Sequence, residues 1–222
     1  DLDDVIQEEN MVVTLTHMGY IKRLSPDTYT AQRRGGRGIV GQTTREEDFV
    51  ENMFVTTTHT YIMFFTNRGR AFKMKCYMIP EAARAAKGTA IVNLLQLQPE
   101  EKVTMAVPVS ADEKYLVLAT KYGIIKKTPL SEFDNIRKTG IIAQNLPDGD
   151  ELIGAILTSG EDELMLGTRY GKAVRFPESD VRAMGRTATG VRSVNLAEGD
   201  EIISAEKMSV GKLVLAVTEN GM

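Results

Sequence analysis

The chain has 222 residues, 42% hydrophobic and 26% charged, which is enough apolar content for a folded core and the balance of an ordinary globular protein. Its one cysteine, Cys76, excludes an intramolecular disulfide, and two histidines, His17 and His59, are too few for a structural zinc site. No apolar run is long enough to span a bilayer and Asp1-Leu2-Asp3-Asp4 is no signal peptide, so a reducing, cytoplasmic setting without a membrane partner is expected. The net charge of −3 misleads: Asp1, Asp3, Asp4, Glu8 and Glu9 carry five negatives, leaving residues 10–222 at +2. Position matters more than the sum.

After the acidic lead-in (residues 1–10), one grammar is repeated four times and begun a fifth. A T-x-x-G turn falls at Thr16–Gly19, Thr66–Gly69, Thr120–Gly123, Thr168–Gly171 and Thr218–Gly221, and a second glycine follows at Gly38, Gly88, Gly140 and Gly190. Two registers in step over units of about fifty residues mark a repeat protein. Each unit opens with an alternating or β-branched run: Met11–Leu15, Tyr61–Phe65, Tyr115–Ala119, Leu164–Gly167, and Leu213–Val217 for the fifth. Past the turn comes a short basic strand: Tyr20–Arg23, Ala71–Lys75, Ile124–Lys127, Lys172–Phe176. A polar connection leads to a strand at the second glycine (Ile39–Gln42, Thr89–Leu95, Ile141–Gln144, Val191–Asn195). An acidic turn then leads to the last strand (Phe49–Phe54, Val103–Val107, Leu152–Leu157, Ile202–Lys207).

Four strands per unit predict one all-β domain of propeller-like, four-stranded blades near residues 11–58, 59–110, 111–160 and 161–210, with 211–222 starting another. Glu81–Lys87 (EAARAAK) is predicted as one or two helical turns. Leu213–Val217 is expected to pair with the preceding blade, because a bare apolar edge strand invites aggregation.

One connection differs from the rest. Gln32-Arg33-Arg34-Gly35-Gly36-Arg37-Gly38 packs three guanidinium groups and three glycines into seven residues with no apolar side chain. Glycine permits close backbone approach and positive φ, and arginine offers a fork of donors that fits phosphate oxygens. A solvated RGG-type linker has similar composition, but this stretch interrupts well-patterned strand sequence.

QRRGGRG, set after an acidic lead-in and MVVTLTHMGYIKR, closely resembles the signature box of the C-terminal DNA-wrapping domains of DNA gyrase A subunits, in the type IIA topoisomerase family. The repeats extend the resemblance over essentially the whole chain. It implies a β-pinwheel, commonly of six blades, so that the four and a fraction here look cut short. It also implies a non-catalytic domain that bends and wraps duplex DNA while the gyrase assembly introduces negative supercoils. Arg33, Arg34 and Arg37 would reach phosphate, Gly35, Gly36 and Gly38 would allow the close turn, and the box would tie the first blade to the last. DNA cleavage would belong to the rest of the A subunit, and ATP hydrolysis with Mg2+ to the B subunit of an A2B2 assembly. This domain itself would need no cofactor.

Charge is segregated within each repeat. Past the first turn lie Lys22 and Arg23, Lys73 and Lys75, Lys126 and Lys127, Lys172 and Arg175; before the second glycine, beyond the box, lie Arg84 and Lys87, Arg137 and Lys138, Arg182 and Arg186. Acids gather near the last turn: Glu46, Glu47 and Asp48; Glu100 and Glu101; Asp148, Asp150 and Glu151; Glu198, Asp200 and Glu201. Equal addresses in a repeat fall on equal parts of the surface, so a basic band and a separate acidic zone are expected. Strand lysines could simply guard edges against pairing, but that leaves the recurrent basic loops unexplained. A basic perimeter suits bent duplex held through phosphates, with little base readout. His17 and His59 are read as structural or surface residues, and Tyr20, Tyr122 and Tyr170 as hairpin packing. Other readings are the C subunit of topoisomerase IV, whose similar domain lacks an intact box, a protein-interaction scaffold, and a propeller enzyme with channel carboxylates. The last is disfavoured, since the acids recur at turns and no nucleophile, metal or P-loop motif is present.

Overall fold

The computed structural model describes residues 1–27 and 48–208. The Gln32–Gly38 box and the predicted strands Ile39–Gln42 and Leu213–Val217 lie outside the described residues. A short helix, α1 (Leu2–Val5), precedes β1 (Asn10–Thr16), β2 (Tyr20–Leu24), β3 (Val50–Thr57), β4 (Tyr61–Thr66), β5 (Arg70–Lys75), β6 (Thr89–Ala90) and β7 (Val103–Pro108). Next come β8 (Tyr115–Thr120), β9 (Ile124–Pro129), β10 (Ile141–Ile142), β11 (Leu152–Thr158), β12 (Glu163–Thr168), β13 (Ala173–Pro177), β14 (Val191–Arg192) and β15 (Ile202–Met208). They form four antiparallel sheets, ordered β3-β1-β2-β6, β7-β4-β5-β10, β11-β8-β9-β14 and β15-β12-β13. This is a four-bladed all-β propeller arrangement.

The T-x-x-G turn explains its own recurrence. Gly19, Gly69, Gly123 and Gly171 have φ between +76° and +91°, where only glycine sits without strain. The threonine hydroxyl accepts from the N–H that restarts the chain four residues on: Thr16 from Tyr20 (3.1 Å), Thr120 from Ile124 (3.0 Å) and Thr168 from Lys172 (3.1 Å). The first strands of the first three repeats, β1, β4 and β8, are buried on both faces, hence their unbroken apolar runs, whereas β12 alternates between buried and half-buried positions. In β4, Ile62 and Phe64 pack toward Val13, Leu15 and Ile21, while Met63 and Phe65 pack toward Leu116 and Leu118. Each such side chain fully buried contributes about 1.5–3 kcal/mol. The last strands meet in series, β3 with β7, β7 with β11 and β11 with β15. They are therefore the inner edge of each blade.

Two expectations fail. The strand at the second glycine does not join its own repeat's sheet. β6 pairs with β2 (Tyr20↔Ala90, Ile21↔Thr89), β10 with β5, and β14 with β9, so each becomes the outermost strand of the preceding blade. It is also only two residues long, because a 3-10 turn takes over at Ile91–Asn93 in the second repeat. The second glycine marks the crossing. A Cβ on Gly190 (φ +111°) would lie 2.4 Å from the Ile125 carbonyl oxygen, and one on Gly88 2.6 Å from that of Ile21.

The second failure is EAARAAK, which is not helical. Glu81 bridges in parallel to Arg23. The carbonyls of Ala83, Arg84 and Ala86 accept from the Lys22 ammonium. A tertiary donor overrides a good local propensity.

Candidate nucleic-acid interface

The loops before the second glycine lie on the outer strand of the preceding blade. In the first blade, Ala82 N–H donates to the Arg23 carbonyl (3.2 Å) and Arg23 N–H to that of Pro80 (3.3 Å). In the third, Met184 N–H donates to the Lys127 carbonyl (2.7 Å) beside a Lys127–Ala183 bridge. Between them, Arg70 Nη1 donates to the Thr139 carbonyl (2.9 Å). Three basic loops thus occupy one address, at the edge farthest from β3, β7, β11 and β15.

The predicted cations divide into two groups. Lys87, Arg137, Lys138, Lys172, Arg175 and Arg182 are exposed. Lys87 sits 3.9 Å over the Tyr20 ring, and Arg175 pairs with Glu163 across β12–β13. Arg84 and Arg186 are half-buried, with Arg186 Nη1 donating to the Ile142 carbonyl (2.9 Å).

The strand cations mostly turn inward. Lys126 is fully buried, and Lys127 is buried with its ammonium donating to the Glu178 carbonyl (3.1 Å) over the Tyr115 ring. Half-buried Lys22 is caged by carbonyls, and Arg23 Nε donates to that of Ile79 (2.6 Å). Lys73 and Lys75 lie 4.3 and 4.2 Å from the Tyr61 ring centre. Burial pulls the Lys73 ammonium below its usual range, with Asp134 opposing and Lys75 reinforcing the shift. Lys75 also pairs with Asp3 of the lead-in (3.0 Å). The lead-in is anchored there too by His59, whose Nε2 donates to the Ile6 carbonyl (2.6 Å), and by Thr58, whose hydroxyl donates to that of Gln7 (2.9 Å). His17 bonds Glu51 and stacks on Phe49.

The acids of the last turn sit at the opposite end of the sheet from the start of the basic loops, beside the T-x-x-G tips, and several are structural. Asp48, Asp150 and Asp200 each accept from the third residue of the neighbouring turn, Met18, Tyr122 and Tyr170, at 3.0 Å. Burial pushes the Asp200 carboxyl up, but bonds from Thr168, Tyr170 and Glu201 hold it below the ordinary range. In the second blade the acid is Glu101, which bonds the turn threonine rather than the third residue. It accepts from Thr66 (2.7 Å), Gln98 N–H (2.9 Å) and Arg70 Nε (2.8 Å) and Nη2 (3.0 Å). Sequence reasoning saw an acidic zone and missed these latches; the recurrence of an acid two residues before each last strand was the available signal. Tyr122 and Tyr170 rest near Gly149 and Gly199 of these turns. Among the described residues no three His, Cys, Asp or Glu side chains are placed to hold a metal ion.

Fold and edge together define a repeat-built β-propeller whose blades exchange outer strands and carry basic loops over the exchange. The sequence matches the family described as DNA gyrase C-terminal domain, beta-propeller, over residues 10–57, 60–110, 114–159 and 162–207, and the chain belongs to that family. It is 57% identical over 194 residues to the DNA gyrase A subunit of Clostridium acetobutylicum, covering 86% of this chain and 23% of that protein. With the Staphylococcus aureus gyrase A subunit the identity is 44% over 224 residues, covering 99% of this chain and 25% of the other. The chain therefore spans about a quarter of the length of these relatives. Among solved structures it is similar to a DNA gyrase A C-terminal domain (TM-score 0.72, 28% identity, covering 90% of this chain and 65% of that one). It is equally similar to the C-terminal domain of a DNA topoisomerase IV (TM-score 0.72, 30% identity, covering 92% and 62%).

Proposed function

We propose that this chain binds and bends duplex DNA along its outer blade edges, as the wrapping part of a gyrase A subunit. The observation that carries the reading is the stacking of three basic loops at one address, with Lys87, Arg137, Lys138 and Arg182 exposed there. Lys172, just before β13, and Arg175 on it add charge at the fourth blade, where β13 has no outer partner strand among the described residues. Phosphates are the matching ligand, since these side chains offer donors without a recognition helix to read bases. The box residues Arg33, Arg34 and Arg37, with Gln32, Gly35, Gly36 and Gly38, would bind phosphate as well. The partners are double-stranded DNA, the remainder of the A subunit, and the B subunit, which supplies ATP hydrolysis with Mg2+. The setting is the bacterial cytoplasm.

Six exposed cations on phosphates give a slope of about −5 in log K against log salt. Titrating a fluorescent duplex at several salt concentrations tests this. The expected result is a drop of about a thousandfold between roughly 50 and 200 mM salt. Affinity insensitive to salt, or unchanged when the six are replaced by alanine, would refute it. A topoisomerase IV-type subunit is the second reading, favoured only by the equal structural similarity.

A further inference from the structure

Lys22 and Lys126 stand three residues beyond the T-x-x-G glycine of their repeats, and each ammonium is enclosed by carbonyls of the loop arriving from the next repeat. Lys22 Nζ donates to Ala83 (3.2 Å), Arg84 (2.6 Å) and Ala86 (2.9 Å). Lys126 Nζ faces Gly185 (3.2 Å), Arg186 (2.5 Å) and Ala188 (3.1 Å), with the Ala143 carbonyl of the neighbouring segment as a fourth acceptor. An ammonium has three donors and no acceptor, so it suits a ring of carbonyls. The second blade has Phe72 at this address. Its ring lies against Gly140, and Arg70 supplies the bond to the loop carbonyl at Thr139.

The fold can therefore fill this space without a lysine, and burial disfavours one. Desolvation pulls the Lys126 ammonium down to about 8, with Glu132 opposing and Arg186 adding to the fall. What the ammonium supplies, and a phenyl ring does not, is a fixed set of inward-turned carbonyls. With its carbonyls drawn in, the loop is held in one shape on the blade edge, and the stems of Arg182 and Arg186, or of Arg84 and Lys87, start from fixed points. We propose that Lys22 and Lys126 are positioning residues for DNA binding, carbonyl-caged cations that orient the basic side chains of the loop without touching phosphate. This rests on the DNA-binding reading above.

The test uses the full chain with Lys126→Met, Lys22→Met and Arg182→Ala/Arg186→Ala. Hydrogen exchange of amides 183–190 and the salt dependence of duplex affinity are measured for each. Lys126→Met is expected to speed exchange in that loop at least tenfold while other blades keep their protection. It should also lower affinity about tenfold and reduce the salt slope by about one to two, as if phosphate contacts had gone. Adding Arg182→Ala/Arg186→Ala to Lys126→Met should then change little further, because both act through one loop. Lys22→Met repeats the experiment in the first blade should the first variant fold poorly. A loosened loop with unchanged affinity and slope would overturn the proposal, and so would an unloosened loop. If Arg182→Ala/Arg186→Ala is itself silent while Lys126→Met still loosens the loop, the DNA-binding reading of this loop fails and the tether alone stands.

Discussion

Replacing Glu101 by glutamine removes one charge and almost no volume, at a point where two structural tasks converge. The Glu101 side chain is fully buried and that of Arg70 is 16% exposed. The carboxylate binds the guanidinium at two points, 2.8 and 3.0 Å, and also takes the Thr66 hydroxyl and Gln98 N–H. Breaking such a pair from one side leaves an uncompensated charge and costs roughly 3–5 kcal/mol. Arg70 keeps the carbonyls of Thr139 and Gln96, which argues for the lower end, about 3 kcal/mol. At about 2–4 °C per kcal/mol for a protein of this size, the melting temperature should fall by roughly 6–12 °C. Thermal denaturation at pH 7 measures it, with Arg70→Met/Glu101→Gln as a companion that should lose less than Glu101→Gln alone. The pH dependence gives a second reading. Burial pushes the Glu101 carboxyl up, but Arg70, Gln98 and Thr66 outweigh it and hold it below its ordinary value of 4.5. Its contribution is therefore present above pH 4.5 and lost as pH falls through the lowered folded value, a loss that Glu101→Gln should abolish. A Glu101→Gln protein within about 1 kcal/mol of the parent would refute the reasoning.

Three further outcomes follow from the same geometry. Lys126 falls from 10.5 to about 8 on folding, so its burial cost is full below pH 8 and relieved as pH rises to 10.5. Stability from this group should therefore rise by about 3 kcal/mol across that window, and chemical denaturation of Lys126→Met should show a flatter pH profile. Gly190→Ala would drive a methyl against the Ile125 carbonyl at 2.4 Å from a φ of +111°, costing on the order of 2 kcal/mol or more and exposing the outer amides of β9 to exchange. Arg33→Ala/Arg34→Ala/Arg37→Ala should reduce duplex bending, read by energy transfer between end labels, while leaving the melting temperature of the blades unchanged.

Most of the blade was readable from local chemistry. The T-x-x-G turn advertises itself because threonine and a positive-φ glycine are both needed within four residues, and the apolar runs of β1, β4 and β8 reflect burial on two faces. The exchange of β6, β10 and β14 was not readable, since a two-residue strand carries no mark of its partner. The same limit applied to the cations. Lys126 and Lys172 sit near one another in the repeat and look alike in sequence, yet among the described residues only Lys126 of the two is covered by a loop from the following repeat. EAARAAK shows the converse: a segment with helical propensity is held open by Lys22, about sixty residues away. Long-range partners settled what local pattern left undetermined.

Cations on successive blade edges should make a duplex curl. The most direct measurement closes a nicked circular plasmid with ligase in the presence of the chain, removes the protein, and resolves the topoisomers. The expected result is a trapped positive linking difference that grows with protein and vanishes at high salt. An unchanged linking number at concentrations that saturate the DNA would contradict it.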